Sequence, residues 1–339
     1  MSDAARRALA AWLSAADAAV LSPLGNGHIN DTWLVETAAS RFVLQRISAA
    51  VFADPRGVAD KVARVVSHLR GGGRVNVPEL LPTAAGNPWL EDAGGVWRLW
   101  EFVAGGRTLE RLTRPAQAEA AGAAFGHFQR ALADFGVAVA DPIPGFLCLQ
   151  HYLAELDTVL AAAVTDRAVD DLLAAVATRT DLRGLFEDRD RLVHGDCKVN
   201  NLLFHPDRAE VVCVLDLDTV MCGHWAWDFG DLARSAAARG ERFGERFDVA
   251  LFAAAARGFT AAAGIPVDRD ALLLAPRYVA LMLGVRFLTD HLRGDRYFKV
   301  AARGDNLARA RAQLALLEDM EAREADLRAA LGRAVGSGR

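Results

Sequence analysis

Apolar and polar positions alternate with a short, strand-like period in the first third of the chain and with a helical period over most of the rest. Residues 4–21 mix small, apolar and charged side chains at helical spacing. A glycine turn follows, Leu24-Gly25-Asn26-Gly27-His28-Ile29-Asn30, and then two strand-like runs, Thr32-Trp33-Leu34-Val35 and Arg41-Phe42-Val43-Leu44-Gln45-Arg46-Ile47. Over residues 57–70 the apolar positions are Val58, Val62, Val65, Val66 and Leu69, one face of a helix that Gly71-Gly72-Gly73 ends. Short strand-like pieces come at 77–81, 88–91 and 96–103. Ala104-Gly105-Gly106 reads as a hinge. Helical spacing then dominates at roughly 107–136, 148–180, 225–264, 268–293 and 304–334, with one β island at 192–218. The expectation is an α+β chain of two lobes. A small β-rich lobe spans 1–103, a larger, mainly helical lobe spans 104–339, and the hinge lies at about 101–106. A cleft between lobes is a common ligand site.

Composition narrows the picture. Of the 339 residues, 52% are hydrophobic and 24% charged, enough apolar surface to exclude a disordered chain. A formal net charge of −4 gives no basic field for a nucleic-acid partner. Cys148, Cys197, Cys213 and Cys222 are scattered, with no metal-binding spacing, as expected of reduced thiols. No secretory leader is read at the start, so a cytoplasmic location is expected. The apolar stretch 272–283 contains Pro276 and Arg277 and reads as a buried helix, not a membrane span.

The string that carries chemistry is His194-Gly195-Asp196-Cys197-Lys198-Val199-Asn200-Asn201, with Asp216 15 residues after Asn201 at the end of an apolar strand. Phosphoryl transfer needs a carboxylate to orient and deprotonate the attacking hydroxyl, and an Asn and a second Asp to hold Mg²⁺ on the phosphates. Asp196, Asn201 and Asp216 supply these parts in that order. Such a triplet alone arises by chance in about one chain in a hundred of this size. Leu192-Val193 before it and Leu202-Leu203-Phe204 after it make chance a poor account.

The neighbours carry weaker signals. His194 reads as a backbone-fixing residue. Lys198 reads as a cation for the transferring phosphate or as solvated surface. Asp218 is a candidate for supporting the metal site or for a second metal. Asp228-Phe229-Gly230 has no strand before it, so Asp228 reads as a helix-start residue bracing the loop. Gly25-x-Gly27-x-x-Asn30 either covers phosphates with backbone N–H groups or is a plain hairpin turn. Position 45, where a kinase carries its strand lysine, is Gln45.

These residues resemble the aminoglycoside phosphotransferase/choline kinase family of small-molecule kinases, and within it the N-acetylhexosamine 1-kinases. The likeness is carried by Gly25-Asn26-Gly27-His28-Ile29-Asn30-Asp31-Thr32, Val43-Leu44-Gln45, Lys198-Val199-Asn200-Asn201, Leu215-Asp216-Leu217-Asp218-Thr219-Val220-Met221 and Asp228-Phe229-Gly230-Asp231. Arg286-Phe287-Leu288-Thr289-Asp290, Gly294-Asp295-Arg296-Tyr297-Phe298 and Asn306-Leu307 extend it over nearly the whole chain. Gln45 is shared with the sugar-kinase branch. His-Gly-Asp stands where that branch has His-Asn-Asp.

The resemblance implies a two-lobed, protein-kinase-like fold and ATP- and Mg²⁺-dependent phosphorylation of the anomeric hydroxyl of an N-acetylhexosamine. By it, Asp196 is the base, assisted by Lys198, and Asn201 and Asp216 hold Mg²⁺. Gly25, Gly27 and Gln45 belong to the nucleotide site, with Glu101, Phe102 and Val103 offering hinge backbone to the adenine. His28 and Arg286 contact the sugar. Arg286 has apolar flanks and needs an anionic or polar partner, so a structural ion pair is its other reading. A small-molecule sugar is the expected partner, with no nucleic acid or membrane, and the oligomeric state is open. Kinases of the same superfamily for homoserine, methylthioribose, choline or an aminoglycoside compete, as does a nucleotide-binding protein without turnover. A protein kinase is disfavoured, since 12 residues from Asp216 to Asp228 leave no room for an activation loop.

Overall fold

The structure is a computed structural model describing residues 2–25, 29–73, 75–162, 165–240 and 246–336. Helix α1 (Ser2–Leu9) is followed by strands β1 (Val20–Pro23), β2 (Asp31–Glu36) and β3 (Arg41–Arg46). Helix α2 (Pro55–Gly72) and strands β4 (Leu80–Leu81), β5 (Leu90–Asp92) and β6 (Gly95–Glu101) complete the N-terminal part. The sheet is antiparallel in the order β1-β2-β3-β6-β4, with β5 also on β6.

Strand alternation sorts the side chains of this sheet. Trp33, Val35, Leu44, Trp97 and Leu99 point to the outer face, where Ala5, Ala8 and Leu9 of α1 close a small core. Val96 and Trp100 point inward, to the main core that also takes Val58, Val62, Val65, Val66 and Leu69 of α2. Asp54 caps α2 by accepting from Gly57 N at 2.9 Å, Pro55 begins it, and left-handed Gly73 stops it. The expected helix over 4–21 is therefore mostly absent. It ends at Leu9, and Val20–Pro23 is an edge strand against β2.

After β6 come α3 (Pro115–Ala131), α4 (Leu149–Leu160) and α5 (Arg167–Ala177). The β island contains β7 (Arg191–Val193), β8 (Leu202–Phe204), β9 (Val211–Val214) and β10 (Met221–Gly223). Next are α6 (Trp225–Ala237), the small pair β11 (Ala238–Arg239) and β12 (Arg246–Phe247), then α7 (Val249–Ala263), α8 (Arg269–Leu292), α9 (Asp305–Ala322) and α10 (Glu324–Ala334). The expected helix over 225–264 is thus two helices joined through a hairpin.

Helix α8 runs unbroken through Pro276. It is the one helix among the described residues long and apolar enough to cross a membrane, yet 72% of its apolar window is buried in the protein. Arg277 within it donates through its two terminal nitrogens to Glu324 and to Met320 O, both at 3.0 Å. Helices α3 and α7 pack with backbones almost in contact. A Cβ on Gly122 would stand 2.1 Å from Ala255 O, and one on Gly258 would stand 2.0 Å from Glu119 O.

Candidate active site

Two antiparallel strand pairs build the site, one nested inside the other in the chain. β7 pairs with β10 and β8 with β9, so the loop after β7 and the loop after β9 meet. Leu215 N donates to Asn201 O at 2.9 Å, which sets Asp216 beside the end of the first loop. Gly195 has φ +82°, and a Cβ on it would lie 2.6 Å from Thr219 O. Glycine is the residue that this conformation and this approach both permit, and Asn is the next to tolerate the dihedral. An Asn at position 195 can adopt the dihedral, but its Cβ would require the Thr219 backbone to move.

His194 and Asp228 hold the first loop. His194 is fully buried between the rings of Phe125 and Phe128. Its Nε2 meets Leu215 O at 2.8 Å, and its Nδ1 accepts from Asp196 N at 3.3 Å, which assigns the proton to Nε2. The Asp228 carboxylate accepts from His194 N, Gly195 N and Gln129 Nε2, each at 2.8 Å. Both residues brace the backbone, as their positions in the sequence suggested.

Asp196 Oδ2 accepts from Lys198 Nζ at 2.7 Å and from Asn201 Nδ2 at 2.9 Å. Burial works against its ionised form, but the Lys198 charge and these two hydrogen bonds outweigh it and hold the carboxyl below the usual range. Burial likewise opposes the charge on Lys198, and Asp196 and Asp216 overcome it, so the ammonium is held firmly protonated. Lys198 is not idle surface.

Asp216 differs. It has φ +59°, rare for a residue with a side chain, and it is open to solvent. No hydrogen bond from a described residue reaches its carboxylate. Desolvation by the surrounding site, then the charges of Asp218 and Asp196, push its carboxyl up to about 6. Asn201 spends its amide nitrogen on Asp196, and no donor among the described residues reaches its Oδ1. Asn201 and Asp216 thus present oxygen atoms, one of them on a carboxylate that a cation would stabilise. No group of three or more His, Cys, Asp or Glu among the described residues is arranged to hold a metal unaided. That suits Mg²⁺, which takes one or two protein oxygens and completes its shell with phosphates and water.

The remaining predicted residues fall into four places. Gly25 (φ +73°) opens the turn between β1 and β2, which Leu24 N closes on Thr32 O at 2.9 Å; Gly27 and His28 lie outside the described residues. The Glu101 side chain is spent on Glu79 N at 2.9 Å and Arg70 at 3.2 Å, and its backbone N–H donates to Glu79 O at 2.9 Å. Val103 makes no backbone hydrogen bond among the described residues.

Gln45 faces inward, with its oxygen taken by Arg98 and Trp100, while Arg46 points outward to Asp31 and the Trp97 ring. Arg286, on α8, has no hydrogen bond or ion pair with the Asp196 loop among the described residues. Its guanidinium lies over the rings of Tyr152 (4.8 Å), Phe298 (5.2 Å), Phe146 (5.4 Å) and Tyr297 (5.8 Å). The ion pair weighed as its structural role is absent among the described residues, and ring faces take that place.

Both sides of this aromatic box are fixed from behind. The Asp290 carboxylate accepts from the backbone N–H groups of Arg296, Tyr297 and Phe298 at 2.8–3.0 Å. The Tyr278 hydroxyl bonds Leu147 O and Leu149 N, next to Phe146.

Sequence reading missed Arg98 and Lys61. Arg98 is a charge at an inward position of the apolar run Val96-Trp97-Arg98-Leu99-Trp100, and Lys61 falls in the apolar stripe of α2; that mismatch is the signal. Asp218 was flagged for a metal, but its side-chain oxygens are occupied by Arg98 at 2.6 and 2.9 Å and Asn30 at 2.6 Å.

Comparison with known proteins agrees with this geometry. The chain is similar over residues 20–265 to the model of the phosphotransferase enzyme family. Among solved structures it resembles an aminoglycoside phosphotransferase from Alicyclobacillus acidocaldarius, with TM-score 0.65 and 17% identity over 97% of this chain and 96% of that one. A microcompartment-associated aminopropanol kinase superposes with TM-score 0.61 and 20% identity, covering 96% and 99% of the two chains. An amicoumacin kinase in complex with AMP-PNP and Ca²⁺ gives TM-score 0.58 and 17% identity over 87% of each chain. At such identities these structures speak for the fold alone. With the family model matched over well beyond half its length, the chain belongs to the phosphotransferase enzyme family.

Proposed function

We propose that this protein is an ATP-dependent kinase of a small-molecule alcohol, and that its acceptor is the anomeric hydroxyl of an N-acetylhexosamine. The observation that carries the kinase reading is the joint placement of Asp196, Lys198, Asn201 and Asp216 on two loops held by buried hydrogen bonds. Ionised Asp196 is set to accept the hydrogen bond of the acceptor hydroxyl and then its proton, as that oxygen bonds to the γ-phosphorus and ADP departs. Asn201 fixes the carboxylate through its amide. Lys198 keeps a cation 2.7 Å from Asp196, where negative charge gathers on the transferring group. Mg²⁺, held by Asn201 Oδ1 and Asp216, would neutralise phosphate oxygens.

Support for the sugar comes from the Gly25–Thr32 and Arg286–Asp290 segments shared with the sugar-kinase branch, and from the aromatic box. Aromatic faces suit the C–H faces of a pyranose, and a guanidinium with no carboxylate partner can donate to an acetamido carbonyl. The structural neighbours include an aminopropanol kinase and antibiotic kinases, so an amine-bearing acceptor is the second reading.

A panel assay with ATP and Mg²⁺ tests both. N-acetylglucosamine, N-acetylgalactosamine, N-acetylmuramic acid, glucose, homoserine, methylthioribose, choline and kanamycin are offered, and ³¹P NMR reads the phosphorylated position. An anomeric phosphate on an N-acetylhexosamine is the expected result. Phosphate on an amine-bearing acceptor alone overturns the sugar while keeping the chemistry. ATP binding with no product overturns the kinase reading for these acceptor classes.

A further inference from the structure

In kinase-like sites a strand lysine usually steadies the phosphates from an ion pair with a helix glutamate. Here that position is Gln45, and the cation stands one strand away. Gln45 and Arg98 are direct register partners on β3 and β6. The Gln45 oxygen accepts from Arg98 Nε at 3.1 Å, Arg98 Nη2 at 2.9 Å and Trp100 Nε1 at 2.7 Å. That fixes the guanidinium, which then pairs with Asp218 through Nη1 at 2.6 Å and Nη2 at 2.9 Å. Arg98 is 1% exposed and Asp218 2%.

Two more ties end on the same residue. Lys61 of α2 donates to Asp218 O at 2.7 Å. Asn30, at the end of the glycine turn, donates to Asp218 Oδ2 at 2.6 Å and accepts from Ser48 N at 3.0 Å. The sheet, the helix and the turn of the N-terminal part therefore all terminate on one carboxylate-bearing residue, two positions after Asp216. Asp216 itself sits in a left-handed conformation that persists only where its surroundings impose it.

We propose that Asp218, gripped by Arg98, Lys61 and Asn30, is a positioning residue that latches the N-terminal part to the Asp216 loop, with Arg98 standing in for the strand lysine as its counter-charge. This rests on the phosphotransferase reading of Asp216. Arg98 acts through Asp218 and not on phosphate directly, because its guanidinium is buried and committed to Gln45 and Asp218. Asp218 is turned toward Arg98 and Asn30: its Oδ2 accepts from both, and its Oδ1 lies 2.6 Å from Arg98 Nη1. The latch makes the position of Asp216, and so the affinity for Mg²⁺-nucleotide, depend on a salt bridge 120 residues apart in sequence.

A pair that merely holds the fold is separable from one that positions the loop. Arg98→Met and Asp218→Leu each strand a buried charge and are expected to unfold readily. The double variant removes both charges, and such replacements are often neutral to stability. We expect it to melt near the wild-type temperature. Its kcat should fall about 100-fold, and the Mg²⁺ concentration for half-maximal AMP-PNP binding in calorimetry should rise about tenfold. The acceptor KM should stay within about threefold. A double variant that regains the wild-type kcat and Mg²⁺ midpoint along with its melting temperature overturns the latch.

Should the double variant not fold, Arg98→Lys and Asn30→Ala decide. Each should raise the Mg²⁺ midpoint at least about threefold, because each loses a directed bond to Asp218 without stranding its charge: Arg98→Lys keeps a cation there, and Asn30→Ala leaves Arg98 in place. Wild-type midpoints in both overturn the proposal. The calorimetric readout needs no acceptor. A wild type that binds Mg²⁺-AMP-PNP but turns over nothing sinks the kinase reading alone, and the midpoints still judge the latch.

Discussion

Asp196 shows how much chemistry one side chain can draw from its immediate neighbours. Its charge is kept by Lys198 and Asn201, both within five residues of it in the chain. The candidate base was legible in the sequence for that reason: the loop is short, and its spacing alone forces the residues together. Asp196→Asn keeps the volume and the Asn201 bond but removes the proton acceptor. It is expected to lower kcat by about 10²–10⁴-fold with little change in melting temperature; single-turnover kinetics beside a thermal melt check this. A variant within threefold of wild type would remove Asp196 from the base role.

Arg286 is the contrasting residue. Its position in the chain showed an unusual arginine but not the ring faces around it, because Phe146, Tyr152, Tyr297 and Phe298 come from separate segments. If the box holds acceptor, Arg286→Ala should raise the acceptor KM more than tenfold and leave the ATP KM nearly unchanged. Arg286→Lys should recover only part, for want of a planar fork. Equal, small effects on both constants would mark a packing role.

At the scale of elements, pattern located the strands and long helices but not their junctions. The stretch 4–21 carries helical spacing, yet Val20–Pro23 extends because β2 offers it a partner, and no local pattern encodes that partner. The stretch 225–264 is alanine-rich at both ends but has no alanine over 239–248, where Gly240 and Gly244 break the pattern; the long-helix reading passed over that break, which is where β11 and β12 lie. The contact of α3 with α7 was equally hidden, since Gly122 and Gly258 look like poor helix residues until the two backbones are seen to touch. Gly258→Ala drives a methyl at the Glu119 carbonyl, nominally 2.0 Å away, and should cost about 3 kcal/mol as the helices separate. Urea denaturation reads that loss. A neutral or stabilising Gly258→Ala, the usual result of improving helix propensity, would show that the contact relaxes freely.

At the scale of the whole molecule, Asp218 is one junction between the N-terminal part and the rest, and Lys61 makes that junction answer to pH. Lys61 is 3% exposed, and burial lowers its ammonium from 10.5 to about 8, with Arg98 adding to the effect and Asp218 opposing it. The unfolded chain keeps the ordinary value. Below about pH 8 both states are charged and folding bears the full penalty of burying the cation. Between about 8 and 10.5 the folded lysine is neutral while the unfolded one still holds its proton, so this group's contribution to stability rises with pH.

The buried thiols act the other way. Burial pushes Cys213 up to about 12 and raises Cys197 well above 9.0, so the unfolded chain loses their protons first and stability falls over the same window. Total stability against pH therefore mixes opposite trends, and the comparison must be a difference. The unfolding free energy of wild type minus that of Lys61→Met cancels the thiols. It should climb by up to about 3 kcal/mol from pH 7.5 to pH 10.5 in urea melts. A flat difference would mean that Lys61 keeps its proton when folded, held by Asp218 more strongly than burial repels it.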